Sequence, residues 1–315
     1  MEALQTSEQT LFVEKAVPTY RKIFFGSRGL RAGWRLLIFF AVLVPFEAAI
    51  RTTLKRIPFV YALLKSGQNG VLTPQYEYVF LLATIAGLFA AASVMARIEG
   101  RKLGDYGIPI RAAFGSLFWQ GVLWGLALES VEILAIYVLH GYSFGGLALS
   151  GVTLVKYAVE WAIAFVLVGI FEEFAFRGYT LFTLTEGIGF WPAAIVMSLL
   201  FGAAHIGNPR ENWIGAVSVV IFGIFACLTI RRTGSLWFAI GLHAGVDYAE
   251  TFVFSVPDSG MLSVGHLLNS SFHGPRWLTG GEVGPEASVL DFIVCAAALL
   301  LFTKLYPAKE EGVKM

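Results

Sequence analysis

Three short blocks of ionisable residues interrupt the otherwise apolar sequence between positions 172 and 247. The first spans residues 172–177 (EEFAFR), the second ends at His205, and the third runs from His243 to Asp247. Ionisable groups in apolar segments are costly, and they usually mark a partner, a cavity or a site. Carboxylates and imidazoles are also the side chains that most often transfer protons in catalysis. The set therefore indicates acid–base hydrolysis.

In the first block, helix geometry indicates different roles for the two adjacent glutamates. Neighbouring residues of a helix point about 100° apart, so Glu172 and Glu173 cannot share one face. Glu173 and Arg177 are four residues apart and can form an ion pair. Glu172 is then free to act as a general base. The structural alternative is a clamp at a helix end in which the arginine holds both glutamates.

The other two blocks supply imidazole groups and a further carboxylate. Residues 201–205 (FGAAH) place small residues before His205, which lets a neighbouring helix approach closely. His243 and Asp247 are four residues apart and so share a helix face. Taken singly, either block is explained by a hydrogen bond that satisfies a buried group. Three blocks in three of the last five predicted helices favour a site.

Two hydrolytic mechanisms fit this set, and the sequence leaves both open. In the first, Glu172 and His205 activate a water molecule that attacks a peptide carbonyl. His243 and Asp247 then stabilise the oxyanion. In the second, these same four residues are candidate ligands of Zn²⁺, because two histidines and a carboxylate form a common catalytic zinc site with an open water position. A glutamate outside the ligand set is then the base.

Other arrangements of hydrolytic residues lack support. The zincin motif His-Glu-x-x-His does not occur in the sequence. The Gly-Asp pair at Gly104-Asp105 lies in a charged loop rather than in an apolar helix. Ser143 also lies in a predicted loop, without an evident base. The glutamates and histidines therefore remain the candidate catalytic groups.

The elements that position these residues are membrane helices. Of the 315 residues, 57% are hydrophobic and 14% are charged, against about 25% charged in soluble domains. The net charge of +1 provides no basic field for a nucleic acid. Cys227 and Cys295 lie in apolar runs, and we interpret both as small core residues. The composition predicts a multi-pass integral membrane protein.

We predict an all-α integral membrane fold, with about eight transmembrane helices in one bundle around a buried polar cavity. A spanning helix needs about 20 mostly apolar residues. Four carboxylates in or beside these helices, at positions 47, 129, 132 and 160, are interpreted as scattered. The segments that approach the required length are 34–50, 77–96, 114–139, 155–171, 189–205, 213–230, 236–255 and 288–306.

The chain is divided by these segments into five parts. We predict a cytoplasmic segment (1–33) without a signal peptide, N-terminal transmembrane helices (34–150) and catalytic core helices (151–255). An irregular outer loop rich in Gly, Ser and Pro (256–287) is expected to cap the bundle, and the last helix and tail follow (288–315). With both termini on the cytoplasmic side of the cell membrane, 16 of the 23 Lys and Arg residues are cytoplasmic. Four basic residues in the loop 51–75 argue for the opposite orientation.

The three blocks resemble the motifs of the CPBP family of intramembrane proteases, which includes type II CaaX prenyl endopeptidases and bacterial Abi proteins. The family pattern is Glu-Glu-x-x-x-Arg, then Phe-x-x-x-His, then His-x-x-x-Asn/Asp, and the ordered set matches here over about 155–255. The resemblance implies an eight-helix fold with a conical cavity, with Glu172 as the principal carboxylate and His205 as its partner. It also implies that Glu173, Arg177 and Phe201 support the site. In the same pattern, His243 and Asp247 are expected to bind the oxyanion or the water.

Asp247 departs from the asparagine found in many relatives. An ionised aspartate only accepts hydrogen bonds, so it orients His243 or binds a metal more readily than it donates to an oxyanion. The implied partners are membrane lipid and a peptide or protein substrate that is membrane-associated or lipid-linked. Whether zinc is a cofactor is left open by the sequence. The competing interpretation is a non-proteolytic immunity or scaffold protein, or a proton-coupled transporter, on the same fold.

Overall fold

The computed structural model describes residues 23–26, 29–66 and 70–308. Helices dominate the described chain, and three pairs of two-residue strands join its loops. The first pair is β1 (Phe25–Gly26) with β2 (Gly29–Leu30). The predicted all-α bundle is confirmed. The helices are α1 (Ala32–Leu54), α2 (Pro58–Ser66), α3 (Pro74–Glu99), α4 (Ser116–Val138), α5 (Gly151–Arg177), α6 (Tyr179–Ile188), α7 (Phe190–His205), α8 (Trp213–Thr233), α9 (Leu236–Asp247), α10 (Arg276–Thr279) and α11 (Val289–Leu305).

Each of the eight predicted membrane segments coincides with a helix. Among the described residues, five helical stretches are long and apolar enough to cross a membrane: Ala32–Leu54, Pro74–Glu99, Ser116–Val138, Gly151–Ile188 and Trp213–Thr233. The helices α7, α9 and α11 are shorter, with 16, 12 and 17 residues. The protein is therefore multi-pass. Most of the predicted cytoplasmic segment 1–33 and the tail residues 309–315 lie outside the described residues.

Two close helix contacts fix the position of α9, which carries the third block. Gly241 and Gly245 on α9 face a second glycine pair, Gly121 and Gly125, on α4. A Cβ at Gly241 would lie 2.0 Å from the carbonyl oxygen of Phe118. At Gly125 the corresponding distance to a carbonyl oxygen of α9 is 2.2 Å. The two backbones therefore touch, as small-xxx-small pairs allow in membrane helices.

The start of α9 is set by a tight connection from α8. Gly234 ends α8 with φ of 75°, in the left-handed region that glycine adopts without strain. The hydroxyl of Ser235 then accepts a hydrogen bond from the backbone N–H of Trp237 and caps α9. Beyond Asp247 the helix widens into a π-helical turn, Tyr248–Val253. Such turns are rare and are frequent at functional sites.

A buried polar network ties α1 and α3 to α6. Arg35 of α1 pairs with Glu99 at the end of α3 and with Glu186 of α6. Tyr179 of α6 donates a hydrogen bond to Glu99 at 2.7 Å, and Tyr106 donates to the same carboxylate at 3.1 Å. Buried charges that are paired and hydrogen-bonded in this way favour one arrangement of the helices.

The predicted outer loop 256–287 is more ordered than its Gly, Ser and Pro content indicated. Strand β5 (Leu262–Ser263) pairs in parallel with β3 (Val71–Leu72). Strand β6 (Ser271–Phe272) pairs antiparallel with β4 (Tyr142–Ser143). The helix α10 and a 3₁₀ turn (Pro285–Ala287) complete the segment. These pairings hold the loop across one end of the bundle, where it contributes residues to a cavity.

Candidate active site

A cavity of about 320 Å³ lies inside the bundle beneath the loop 256–287. Its volume is at the lower end of the range for ligand pockets. The four candidate catalytic residues all line it, and so does Phe201. The full set of acidic and imidazole groups on its wall is Glu77, Glu129, Glu132, Glu172, His205, His243, Asp247, Asp258, Glu286 and Asp291.

Glu172 lies between the two imidazoles. Its Oε2 atom is 3.5 Å from Nε2 of His243 and 3.8 Å from Nε2 of His205. This oxygen is buried and has no hydrogen-bond partner in the structure, although 20% of the side chain is exposed. A carboxylate with an unpaired oxygen at a cavity wall, beside two nitrogen atoms, can bind and deprotonate a water molecule.

Glu173 turns away from the cavity and holds two other site residues. It is fully buried, and its Oε1 accepts from Nη1 of Arg177 at 3.0 Å. The same oxygen lies 2.8 Å from Nδ1 of His243. Because a carboxylate only accepts, Nδ1 carries a proton and Nε2 of His243 faces the cavity. The expected ion pair between Glu173 and Arg177 is present. The hydrogen bond between Glu173 and His243 was not predicted from the sequence.

His205 ends α7 and is fixed by the residue four positions before it. Its Nδ1 donates to the carbonyl oxygen of Phe201 at 2.9 Å, which turns Nε2 towards Glu172. The ring of Phe201 packs edge-on against the imidazole and lies 4.0 Å beneath the Arg177 guanidinium. A cation over an aromatic face is stabilised by the ring quadrupole. Phe201 thus joins two of the sequence blocks through one side chain.

Asp247 lies one turn after His243 on the same face of α9. Its Oδ2 is 3.6 Å from Nε2 of His243, just beyond hydrogen-bonding distance. The carboxylate is buried and lines the cavity. It is therefore close enough to interact electrostatically with the imidazole or to contact a shared water molecule.

The donor atoms of these four residues fit zinc poorly in this arrangement. Ligands held about 2.0–2.2 Å from one Zn²⁺ ion lie within roughly 4.4 Å of each other. Only one trio of described acidic, histidine or cysteine residues has its ligand atoms within 4.8 Å, and it is Glu250, Asp258 and Glu286. In no trio drawn from Glu172, His205, His243 and Asp247 do all three ligand atoms lie within 4.8 Å of one another. The Nε2 atoms of His205 and His243 therefore both lie near Oε2 of Glu172, but no three donor atoms of the cluster are close enough together to bind one zinc ion.

Several acidic residues of the cavity were missed or misjudged from the sequence. Glu129 and Glu132 were interpreted as scattered, but both line the cavity. They lie one turn apart on α4, a spacing that could have shown a common face. Asp258 and Glu286 come from the loop, where sequence periodicity gives no information. Burial raises the pKa of Asp258 to about 6.

Ser143 has an imidazole neighbour that the sequence did not reveal. Its Oγ lies 2.9 Å from Nε2 of His273, which is also 3.1 Å from Oγ of Ser271. The contact follows from the pairing of β4 with β6. All three side chains lie on the loop surface, outside the cavity lining. The expectation that Ser143 has no nearby base is thus wrong, but the pair is separate from the buried cluster.

Residues 154–249 match the family model described as "Type II CAAX prenyl endopeptidase Rce1-like". The matched range contains all three motif blocks and the helices that carry them. This finding confirms the resemblance to the CPBP intramembrane proteases. No curated protein matches the chain in sequence.

Proposed function

We propose that the protein hydrolyses a peptide bond with a water molecule activated by Glu172 and His205, starting from the match of residues 154–249 to the type II CAAX prenyl endopeptidase Rce1-like model. The observation that supports this most directly is the unpaired, buried Oε2 of Glu172, 3.5 and 3.8 Å from two imidazole nitrogens. A water molecule placed among these atoms has an acceptor for its proton and a neighbour to orient it.

The proposed reaction balances its protons within the cluster. Glu172 removes a proton from water, the hydroxide forms a bond to the peptide carbonyl carbon, and the carbonyl oxygen becomes an oxyanion. His205 orients the attacking water through Nε2. The C–N bond then breaks, and the proton held by Glu172 passes to the leaving amine. The immediate products are a carboxylic acid and a free amine, and transfer of the acid's proton to the amine gives a carboxylate and an ammonium group.

His243 is the proposed donor to the oxyanion. Its Nδ1 proton is held by Glu173, so the imidazolium form presents its second N–H from Nε2 to the cavity. Asp247, which only accepts when ionised, stabilises that imidazolium from 3.6 Å. Donors aimed at a developing negative charge in a site shielded from water contribute strongly to such reactions. We therefore assign Asp247 the role of orienting His243.

The substrate is proposed to be a membrane-associated or lipid-linked peptide that approaches the cavity with a neutral or positive segment. Eight carboxylates line the cavity, and no Lys or Arg belongs to the described residues on its wall. A free carboxylate terminus close to these groups is repelled, whereas a basic side chain is attracted. This charge favours cleavage within a chain or beside basic residues.

The proposed location is the cell membrane, with the N- and C-termini in the cytoplasm. The support is the excess of Lys and Arg on that side, 16 of 23 in the chain. Reporter fusions placed after α1, α3 and α5 test it. Cytoplasmic reporters after α3 and α5 and an external one after α1 are expected, and the reverse pattern would overturn the orientation.

The experiment that tests the proposed function uses purified protein in liposomes and a library of lipidated and unmodified peptides. Products are identified by mass spectrometry in H₂¹⁸O, where hydrolysis places one ¹⁸O atom in each new carboxyl group. We expect cleavage by the wild type and none by His205→Ala. Labelled products at equal rates from both proteins, or none from the wild type with any peptide, would contradict the proposal.

The acidic cavity also favours a second candidate, proton-coupled transport, because intramembrane carboxylates serve as proton relays in transporters. Proton flux into liposomes that disappears in Asp247→Asn, without any peptide cleavage by the wild type, would support this candidate instead.

A further inference from the structure

A second cluster of carboxylates lies beside the cavity, between the end of α9 and the two ends of the loop 256–287. Glu250 is on the π-helical turn, Asp258 follows at the start of the loop, and Glu286 lies in the 3₁₀ turn at its end. One carboxylate oxygen from each residue lies within 4.8 Å of the other two. Three like charges at this separation repel strongly unless a cation or protons neutralise them.

Glu250 provides an independent indication of a ligand. Its side chain is completely buried, and neither Oε1 nor Oε2 has a hydrogen-bond partner. An unpaired buried carboxylate is very costly, because it loses its hydration and gains nothing in return. No ion pair within 4.0 Å joins Glu250 to a Lys, Arg or His of the described residues. At least one Glu250 oxygen therefore faces the other two carboxylates, and neither oxygen has a hydrogen-bond donor to compensate it.

The other two carboxylates are already oriented by donors from the loop. Asp258 accepts from the Thr251 hydroxyl at 3.2 Å. Glu286 accepts from the backbone N–H and the hydroxyl of Ser259, at 2.6 and 2.8 Å. Hydrogen bonds that orient carboxylates in this way are common around metal ligands. Each of these residues retains acceptor capacity towards Glu250, since an ionised carboxylate accepts up to about four hydrogen bonds.

We propose that Glu250, Asp258 and Glu286 bind a hard divalent cation, with Ca²⁺ as the best fit. All three donors are oxygen atoms, which Ca²⁺, Mg²⁺ and Mn²⁺ prefer over nitrogen or sulfur. Two oxygens that share one Ca²⁺ ion at about 2.3–2.6 Å lie at most about 5 Å apart, so the observed separation suits Ca²⁺ without rearrangement. Mg²⁺ needs shorter distances, near 2.1 Å, and a stricter geometry.

A backbone carbonyl, that of Pro257, packs close to Glu250 across Gly284. Gly284 has φ of 121°, and a Cβ built there would lie 2.2 Å from the carbonyl oxygen of Pro257 and 3.1 Å from Oε1 of Glu250. The glycine therefore lets a backbone carbonyl and the unpaired carboxylate come together. Carbonyl oxygens are ordinary Ca²⁺ ligands, and water molecules complete the coordination in many sites.

The cation would join three parts of the cavity roof. It would link the start and the end of the loop 256–287 to the turn that begins directly after Asp247. The same loop supplies Asp258, Ser259 and Glu286 to the cavity wall. Binding would therefore fix the roof over the cluster around Glu172. This inference concerns the stability and order of the loop, and it stands whether or not the protein is a peptidase.

The test uses the full-length protein in detergent, freed of metal by a chelator and dialysis. Ca²⁺, Mg²⁺ and Mn²⁺ are then added singly, bound metal is measured by mass spectrometry, and unfolding is followed by tryptophan fluorescence. We expect about one Ca²⁺ per chain and a Tm that rises by several degrees with Ca²⁺, less with Mg²⁺. No bound metal and an unchanged Tm with all three ions would overturn the proposal and leave shared protons as the neutralising charge.

Substitutions in the trio test whether Glu250, Asp258 and Glu286 are the residues that bind Ca²⁺. Glu250→Gln and, separately, Glu286→Gln keep the side-chain shape and remove one charge, and both are expected to lose the bound Ca²⁺ and the Ca²⁺-dependent rise in Tm. The matched control is Glu129→Gln, since Glu129 is also buried with an unpaired oxygen but lies outside the trio. It should retain both. Ca²⁺ binding that survives in Glu250→Gln and Glu286→Gln would contradict the assignment.

Discussion

Glu173 and His243 are joined by a hydrogen bond of 2.8 Å that places a fully buried carboxylate behind an imidazole of the cavity wall. The same carboxylate is paired with Arg177. The bond selects the ring nitrogen that faces Glu172, because Nδ1 is occupied and Nε2 is free. The two adjacent glutamates of α5 therefore have complementary positions, one facing the cavity and the other supporting its imidazole.

Glu173→Gln should weaken catalysis through His243. The amide keeps the shape of the side chain, but it removes the charge that supports the imidazole and pairs with Arg177. By analogy with carboxylates that support metal-binding imidazoles, we expect a loss of about 10–100-fold in kcat, with KM nearly unchanged. Steady-state kinetics over a range of pH measure it. A purely structural role would instead lower the amount of folded protein and leave the pH profile of the remaining activity unchanged.

Gly241→Ala should displace α9 and with it His243 and Asp247. The added Cβ would lie 2.0 Å from the carbonyl oxygen of Phe118. This is a backbone atom, so a side-chain rotation cannot relieve the clash. We expect a lower Tm, by several degrees, and a large loss of activity. Gly33→Ala on α1 is the matched control, because a Cβ there meets nothing within 4 Å. Equal behaviour of the two variants would mean that the close packing of α4 and α9 is unimportant.

A zinc chelator should leave peptide cleavage unchanged when Ca²⁺ is present. The two imidazoles and two carboxylates around Glu172 do not gather three donor atoms within 4.8 Å, and we propose that Glu172 acts on water directly. The experiment compares initial rates with and without a chelator selective for zinc over calcium, at a fixed excess of Ca²⁺. Activity that falls with the chelator and returns on addition of Zn²⁺ would establish the metal mechanism instead.

Peptides with basic residues beside the cleaved bond should be hydrolysed faster than acidic counterparts of the same length. The reason is that eight carboxylates line the cavity wall and attract a basic side chain. The preference should decrease as salt is added, because ions screen charges over about 10 Å at 0.1 M. Competition between paired Lys and Glu peptides at two salt concentrations measures it. A preference for acidic peptides would contradict the proposed electrostatic selection.

Much of the candidate active site was predictable because charged residues are conspicuous in the sequence of a membrane protein. The blocks around Glu172, His205 and His243 stand out against apolar neighbours, and the spacing of Glu173 and Arg177 gives their pairing directly. Helix existence was equally clear, since eight apolar segments need helices to satisfy their backbone groups. The predicted ends of α7 and α11 lie within one residue of those in the structure, whereas α9 ends earlier than predicted because a π-helical turn begins at Tyr248.

Contacts between distant segments could not be predicted. The bond from Glu173 to His243 spans 70 residues and depends on how α5 packs against α9. The trio at Glu250, Asp258 and Glu286 depends on the path of the loop 256–287, where no periodicity constrains side-chain direction. The glycine pairs on α4 and α9 were visible in the sequence, but nothing there showed that they face each other.

The rate of Glu172→Gln relative to Glu160→Gln tests the central claim most directly. Both substitutions remove one charge from α5, but Glu160 lies outside the cavity, near Gln75 and Lys156. With equal amounts of folded protein in liposomes and one cleaved peptide, we predict that Glu160→Gln retains the wild-type rate and that Glu172→Gln loses about 10²–10⁴-fold, the usual contribution of a general base. A Glu172→Gln protein that cleaves as fast as Glu160→Gln would contradict the account.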